Sequence, residues 1–264
     1  MVRALFSAAS GMNAQQMNVD NIANNLANAN TVGFKSRRVQ FQDLMYQTMV
    51  QPGAAAGSQS YVPSGLQLGL GTKPVSNEII FAQGSFQTTG NTMDLAIQGK
   101  GFFQIRRTTG ETAYTRSGEF HLDNNGNVVT ADGDMLEPQI TIPPEAQSVT
   151  VAKDGTVSIS LPGQTAAQVV GQIQLANFPN PAGLNGLGSN LYTSTDASGS
   201  AAVGVPGGQE GLGSLMQGYL EQSNVSVVEE FINLIVSQRA YEANSKVVTA
   251  SDQMSQQVNN MSRS

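Results

Sequence analysis

The start of the chain carries apolar residues at heptad spacing. The seam positions are Leu5, Met12, Val19 and Leu26, with Ala8, Ile22 and Ala29 three residues further on. This spacing is typical of an amphipathic helix that packs along a narrow stripe. The helix is predicted to end at Thr31-Val32-Gly33, because a glycine readily adopts the left-handed conformation that follows many helices.

The end of the chain repeats this pattern over a longer segment. Its apolar positions are Val227, Phe231, Leu234, Tyr241 and Val248, followed by Val247, Ala250, Met254, Val258 and Met261. Their helical spacing predicts a second terminal helix. Two helices are therefore expected to bracket the remainder of the chain.

The first helix is rich in asparagine, which makes it weak in isolation. Seven Asn residues lie between positions 13 and 30, and each costs up to about 0.7 kcal/mol of helix propensity relative to Ala. An apolar stripe commonly packs within its own domain, but a weak helix with a clean seam needs partners. The termini are therefore expected to pair with each other and with neighbouring copies. The expected contacts are Leu5, Met12, Val19, Ile22, Leu26, Val227, Phe231, Leu234, Ile235, Tyr241 and Met254.

The middle of the chain consists of short β-branched runs separated by turn residues. Residues 102–115 and 149–159 each predict a hairpin, the second turning at Asp154-Gly155. Further predicted strands cover residues 75–81, 94–98, 119–122, 127–130 and 168–176. The predicted fold class is α+β, with paired terminal helices forming a coiled-coil-like inner domain and a mainly β central domain.

Four segments follow from this pattern. The first helix is placed in residues 1–33, an extended β segment in 34–74, the β domain in 75–215 and the second helix in 216–264. Residues 51–71 and 193–213 are rich in Gly, Ser and Ala and are expected to be loops. Partial order is expected in the first of them, because Tyr61, Val62, Leu66, Leu68 and Leu70 would otherwise face water.

Composition narrows the classes of function. Only 12% of residues are charged, the net charge is −6 and the sequence pI is near 4.7, so a nucleic-acid partner is not expected. The chain has no Cys, which excludes disulfides and thiolate metal sites. It has no run of about 20 apolar residues and no apolar core of a cleavable signal peptide near its start.

Candidate chemistry is sparse. His121 is the single histidine, and no serine lies in a G-x-S-x-G motif. Residues 123–127 predict a hairpin turn rather than a calcium loop, because ligand residues do not alternate there. Asp132, Asp134 and Glu137 could supply paired carboxylates for glycoside cleavage, but turn residues are the commoner explanation. No catalytic, cofactor or metal site is predicted, and no small-molecule substrate.

Several segments resemble a known family. Residues 22–35 (IANNLANANTVGFK), 93–103 (MDLAIQGKGFF), 114–120 (YTRSGEF), 218–225 (GYLEQSNV) and 238–248 (QRAYEANSKVV) are similar to signatures of the bacterial flagellar rod and hook axial proteins. The resemblance covers essentially the whole chain. The matching positions are Asn24, Asn25, Asn28, Thr31, Gly33, Phe34, Gly99, Gly101, Phe102, Phe103, Asn224, Gln238, Arg239 and Tyr241.

The resemblance implies a structural subunit of a hollow helical drive shaft. The length and residues 46–53 and 63–69 point to the distal rod, and the run at 54–60 departs from the family pattern. The terminal helices would form an inner tube and the β domain an outer layer. The implied partners are further copies, proximal rod proteins, the hook protein, the peptidoglycan-ring and outer-membrane-ring bushings and the flagellar type III export apparatus. The implied location is the basal-body rod across the periplasm.

Three other functions stay open on the sequence. One is a proximal rod or hook subunit of the same architecture. Another is a secreted β-rich binding module, suggested by the Gly, Ser and Thr content, which would leave the paired heptads unexplained. The third is a carboxylate glycosidase acting on cell wall.

Overall fold

The computed structural model describes residues 2–53, 63–163, 166–208 and 211–261. The chain forms two compact units. The first comprises Met1–Ala27, Arg37–Glu78 and Ser226–Ser264, and the second comprises Asn28–Ser36 and Ile79–Val225. Helices at the two ends pack together and the centre is mainly β, so the predicted α+β class is confirmed.

The first unit contains both terminal helices and two strand pairs. Its elements are α1 (Val2–Ala27), β1 (Arg37–Asp43), β2 (Gln47–Val50), β3 (Leu66–Leu68), β4 (Thr72–Ile79) and α2 (Val227–Met261). The last residue of β4, Ile79, is assigned to the second unit. Strand β1 pairs with β4. Strands β2 and β3 form an antiparallel pair in which Val50 lies opposite Leu66 and Gln47 opposite Leu68.

The second unit is built from short strands. They are β5 (Phe86–Thr88), β6 (Leu95–Gln98), β7 (Phe102–Arg106), β8 (Thr112–Thr115), β9 (Phe120–Leu122), β10 (Val128–Thr130), β11 (Met135–Glu137), β12 (Ser148–Val151), β13 (Thr156–Ser160), β14 (Gln168–Gln172), β15 (Leu175–Asn177), β16 (Asn185–Gly188), β17 (Leu191–Thr193), β18 (Ala202–Gly204), β19 (Ser214–Gln217) and β20 (Tyr219–Glu221). A 3-10 turn covers Pro181–Gly183.

The largest sheet of the second unit has the order β16-β17-β8-β7-β11-β10-β9, with β15 pairing both β7 and β18. Strands β12, β13 and β14 form a separate sheet, while β19 pairs with β6 and β20 with β5. Strand β7 is central, and its neighbouring residues Phe102 and Phe103 point to opposite faces. Phe103 belongs to a core cluster with Ile105 and Phe120, and Phe102 belongs to a second cluster with Phe178.

Most of the predicted strands are present, and both hairpins are confirmed. Residues 168–176 were predicted as one strand but form β14 and β15, because the chain leaves the three-stranded sheet and then joins β7. The expected loop at 193–213 contains β18, which pairs with β15. Partial order within 51–71 is confirmed by β3, but its expected reason is wrong, because Leu66, Leu68 and Leu70 are exposed. Tyr61, Val62 and the run at 54–60 lie outside the described residues.

The predicted end of the first helix was wrong. Helix α1 ends at Ala27, and Asn28 and Thr31 continue in a turn. Gly33 does have a left-handed φ of 70°. However, this position needs a glycine because of a close approach within the second unit, not because a helix ends there. A Cβ atom on Gly33 would lie 2.5 Å from the Ser117 backbone nitrogen, and the Gly33 N–H donates to Glu221 O at 2.8 Å.

The histidine and carboxylates considered as candidate chemical groups lie on strands and in turns of the second unit. His121 is exposed on β9 beside buried Phe120. Asp123 Oδ1 accepts hydrogen bonds from the backbone of Asn125 at 2.8 Å and Asn127 at 2.7 Å, so this segment is a hairpin turn. Glu137 accepts a hydrogen bond from Arg106 at 2.7 Å. Over residues 2–53, 63–163, 166–208 and 211–261, no group of three or more His, Cys, Asp or Glu residues could hold a metal ion.

Neither terminal helix is suited to a bilayer. In the part of the chain that the structure describes, no helix combines the length and the apolar character needed to cross a membrane.

Candidate assembly surface

Helices α1 and α2 pack through small and polar side chains. The buried positions include Ala8 and Ala14 in α1 and Ser237 and Ser251 in α2. Asn18 Nδ2 donates to Ser237 Oγ at 2.8 Å. A Cβ atom on Gly11 would lie 2.9 Å from Asn244 Nδ2. The helices therefore approach closely while burying little large apolar surface against each other.

Two asparagines of α1 hold the start of β1. Asn25 Oδ1 accepts from Arg37 N at 2.9 Å, and its Nδ2 donates to Arg37 O and to Glu230 Oε1, each at 2.9 Å. Asn21 Nδ2 also donates to Arg37 O, at 2.7 Å. Both amides are buried, so residues that lower helix propensity here provide specific tertiary hydrogen bonds.

The large apolar residues of α2 face solvent. The exposed side chains are Val227, Val228, Phe231, Ile232, Ile235, Val236, Tyr241, Val247, Met254, Val258 and Met261. They include five predicted contact residues, while Leu234 is half-buried. A monomeric soluble protein seldom leaves so many neighbouring large apolar side chains in water. This face has the character of an interface that the single chain does not fill.

Part of this exposed apolar set was not predicted from the sequence. Val228, Ile232 and Val236 each follow or precede a chosen residue, and their signal was the apolar pair that recurs every four residues at 227–228, 231–232 and 235–236. In α1, Ile22 is buried, whereas Leu5, Met12, Val19 and Leu26 are half-buried. Phe6 and Met17, which were not chosen, are exposed.

The hairpin formed by β2 and β3 presents another exposed apolar group. Its members are Met49, Val50, Leu66 and Leu68, together with Met45 and Tyr46 just before β2. A hydrogen bond to the Asp43 carboxylate raises the pKa of the Tyr46 hydroxyl. The hairpin therefore offers apolar surface with a polar tip, which is common at protein interfaces.

Within the second unit, three charged side chains form a buried cluster. Lys35 Nζ lies 2.6 Å from Glu221 Oε1, and neither side chain is exposed. Arg116 Nε lies 3.2 Å from Glu221 Oε2, with 5% of the Arg116 side chain exposed. Lys35 also donates to Ala82 O at 2.8 Å. Glu221 thus compensates two buried cations.

Burial determines the protonation behaviour of this cluster. It lowers the pKa of the Lys35 ammonium, and the charge and hydrogen bond of Glu221 oppose that shift. Burial likewise lowers the pKa of the Arg116 guanidinium, again opposed by Glu221. The Glu221 carboxylate therefore offsets part of the effect of desolvation on both cations.

Residues from distant motifs meet at this cluster. Arg116 donates to Gly101 O at 2.8 Å and to Gly99 O at 2.9 Å. Asn224 Oδ1 accepts from Ser36 N at 2.7 Å, and its amide donates to Ile80 O at 2.8 Å. Four of the quoted motif segments therefore contribute to one network, and the roles of Lys35, Arg116 and Glu221 were not recognised from the sequence.

The other matched positions are dispersed. Thr31 donates to Asn28 Oδ1 at 3.2 Å, Phe34 is half-buried, and Phe102 and Phe103 are buried on β7. Asn24 is exposed on α1, while Gln238, Arg239 and Tyr241 are exposed on α2. Arg239 pairs with Glu242 at 3.1 Å. The motif therefore combines internal supports with surface residues.

Three family models match the chain in sequence order. Residues 5–35 match the flagella basal body rod protein model, residues 96–159 the D1 domain of the flagellar hook protein FlgE/F/G, and residues 216–261 the C-terminal region of the flagellar basal body rod FlgEFG protein. The first and last matches contain most of the two helices.

Relatives match over the whole length. The chain is 51% identical to the flagellar basal-body rod protein FlgG of Caulobacter vibrioides, with 97% of each chain covered. It is 47% identical to FlgG of Borreliella burgdorferi and 43% identical to FlgG of Bacillus subtilis, with 100% of each chain covered in both comparisons. The chain belongs to the FlgG family of flagellar basal-body rod proteins. This confirms the expected structural protein of the flagellar basal-body distal rod.

Membership in the FlgG family also fixes the setting in coarse terms. A member works in the basal body of the flagellum, among the proteins of the rod and hook complex. The pairing of α1 and α2 through small and polar side chains and the exposed apolar residues of α2 suit a chain that completes its packing in such an assembly.

Proposed function

We propose that this chain polymerises helically, through exposed apolar residues of its terminal helices, into the hollow shaft that transmits torque from motor to hook. The observation that carries the proposal is the set of large apolar side chains of α2, densest from Val227 to Val236, that remain exposed after α1 and α2 have paired. Burial of apolar surface contributes roughly 25 cal/mol per Å². A contact repeated along a shaft would resist twisting at every subunit.

The contact set proposed for assembly combines both helices. It comprises Leu5, Met12, Val19, Ile22, Leu26, Val227, Phe231, Leu234, Ile235, Tyr241 and Met254, to which the exposed positions Val228, Ile232 and Val236 are added. Since Ile22 is already buried in the single chain, the exposed and half-buried members supply the contact. The proposed inner tube contains residues 1–33 and 216–264, and residues 75–215 form the outer layer. Residues 34–74 lie between these layers in this proposal.

The partners and location follow from the same proposal. The polymer joins proximal rod proteins at one end and the hook protein at the other, and it turns within peptidoglycan-ring and outer-membrane-ring bushings. The subunit reaches the periplasm through the flagellar type III export apparatus. A helix pair with few large buried side chains supports export in an unfolded form, because little packing has to be undone.

The proposal assigns no enzymatic activity. His121 is exposed, Asp134 accepts a hydrogen bond from Thr108 N at 3.1 Å, and Glu137 is paired with Arg106. These contacts give the candidate carboxylates roles in turns and strand pairing, which weakens the case for the glycosidase alternative.

The test is Phe231→Asp, expressed in cells that lack their own copy. Phe231 is 49% exposed, so the monomer should fold and be exported, whereas a charge at the interface should abolish rod assembly and motility. Val169→Asp is the matched control, because Val169 is 62% exposed on β14. Normal motility of the Phe231→Asp strain would contradict the proposal. Equal defects in both variants would point to folding and would also count against it.

A further inference from the structure

A groove lies between α1 and α2 in the first unit. It has a volume of about 300 Å³ and is lined by Gln16, Val19 and Asp20 of α1 and Gln238, Tyr241 and Glu242 of α2. That is about ten times the roughly 30 Å³ that one water molecule occupies in the liquid. Val19 and the 41% exposed ring of Tyr241 supply its apolar surface. The groove can therefore accept a large side chain.

The edge of the groove is acidic. Asp20 is exposed and makes no ion pair within the described residues. Glu242 contributes a second carboxylate, which is shared with Arg239 at 3.1 Å. An apolar side chain accompanied by a cation would fit this combination of surface and charge.

The first turns of α1 carry such a pair. Arg3 is exposed and Phe6 is 68% exposed, and residues three apart lie on the same face of a helix. Arg3 makes no ion pair with any residue that the structure describes. It also lies at the positive end of the helix dipole, where an anionic partner is favourable.

The groove cannot receive Phe6 of the same chain. Phe6 and Val19 are separated by 13 positions on one continuous helix, which corresponds to about 20 Å at 1.5 Å per residue. A second copy of the chain, displaced along the helix by roughly that distance, would bring the two sites together. Within α1, Arg3 and Asp20 are the charged residues. They lie 17 positions apart, so the same displacement leaves them about 6 Å apart along the axis, which a long arginine side chain can span.

We infer that Phe6 of one copy inserts into the groove beside Val19 and Tyr241 of a second copy, with Arg3 facing Asp20. The inserted residues and the groove residues are different sets, so the contact is heterologous and can repeat without closing. This inference rests on the proposed self-assembly and adds the identity of one contact. It assigns Asp20 a binding role that its position within a single chain does not explain.

Cysteine cross-linking tests the contact directly, because the natural chain has no Cys. Chains with Phe6→Cys and chains with Tyr241→Cys, carrying tags of different size, are co-expressed in cells lacking their own copy, and basal bodies are isolated and oxidised. A disulfide-linked heterodimer is expected. The control pairs Phe6→Cys with Val169→Cys, whose residue is exposed on β14, and should give background cross-linking.

A charge exchange provides a second test. Arg3→Asp and Asp20→Arg should each lower motility and rod recovery severalfold, while the double variant should recover both. Since Arg3→Asp places an acidic residue in the first turn, it should not weaken α1. Two outcomes would overturn this contact alone. One is that both cysteine chains are present in basal bodies but cross-link no more than the control. The other is that the double variant is no better than the single variants. A wild-type chain absent from basal bodies would instead overturn the proposed function.

Discussion

Lys35 Nζ lies 2.6 Å from Glu221 Oε1 in a place where neither side chain contacts solvent. The two residues are far apart in sequence, and Arg116 approaches the second carboxylate oxygen of Glu221 at 3.2 Å. A buried ion pair contributes little net stability compared with apolar residues, but removal of one member leaves the other charge uncompensated. Glu221 is therefore the sensitive member, since two cations depend on it.

Glu221→Gln is expected to reduce the free energy of unfolding by about 3–5 kcal/mol. Chemical denaturation of the purified chain, followed by a probe of the β-rich unit, measures this change. Glu137→Gln is the matched control, because Glu137 pairs with Arg106 at 2.7 Å on an exposed surface and should cost less than about 1 kcal/mol. Similar losses in the two variants would refute the central role of Glu221.

Gly33→Ala should destabilise the second unit through both strain and steric overlap. Gly33 has φ of 70°, and its added Cβ would lie 2.5 Å from Ser117 N and 2.8 Å from the Arg116 carbonyl carbon. Gly110→Ala introduces the same strain, since Gly110 has φ of 88°, but its Cβ would meet nothing within 4 Å. The control should cost about 1–3 kcal/mol and Gly33→Ala more. Equal thermal midpoints for the two variants would rule out the steric contribution.

Ser237→Leu should separate the paired helices. Ser237 is 3% exposed and accepts a hydrogen bond from Asn18, so a larger side chain should cost about 1–3 kcal/mol through overpacking. Thermal melting of the circular dichroism signal at the helical minimum measures the effect. The neighbouring Val236→Leu, at a position that is 61% exposed, should melt like the wild type. A melting curve for Ser237→Leu that matches this control would show that a small side chain is not required at this position of the helix pair.

Asp123→Asn should change the acid dependence of stability. Backbone hydrogen bonds from Asn127 and Asn125 lower the pKa of the Asp123 carboxyl in the folded chain. A lowered folded pKa contributes stability that is present above the unfolded pKa, near 4, and lost as the pH falls through the folded pKa. The variant should be less stable than the wild type at pH 7, and the difference should shrink below about pH 4. Asp132→Asn, in another exposed turn, is the control, and a constant difference across this range for Asp123→Asn would contradict the assignment.

Local patterns predicted most of the fold. The heptad residues located α1, and turn residues such as Asp154-Gly155 located the hairpins, because both signals depend on residues close in sequence. The break between β14 and β15 was missed because it depends on which sheet each half joins. The end of α1 was also missed. Gly33 was predicted to stop the helix, whereas a glycine is needed there because of its contacts with Ser117 and Glu221.

The candidate site was predicted less completely. Phe231 and Tyr241 were recognised from helical spacing, but spacing cannot tell which face of a helix its own partner covers. The structure places Ser237 and Ser251 on the covered face, where an apolar residue would normally be expected. The cluster of Lys35, Arg116 and Glu221 also depends on chain crossings that a linear pattern does not contain.

The pairing of Val50 with Leu66 has an evolutionary consequence. The two strands hold the ends of the intervening residues next to each other, so the register of Gln47 with Leu68 does not depend on how many residues lie between them. When the two ends of a segment are held together, doubling its length costs only about 0.6 kcal/mol of loop-closure entropy. Insertions and deletions that arise between these strands can therefore persist, and lineages can diverge in length here while keeping the surrounding frame unchanged.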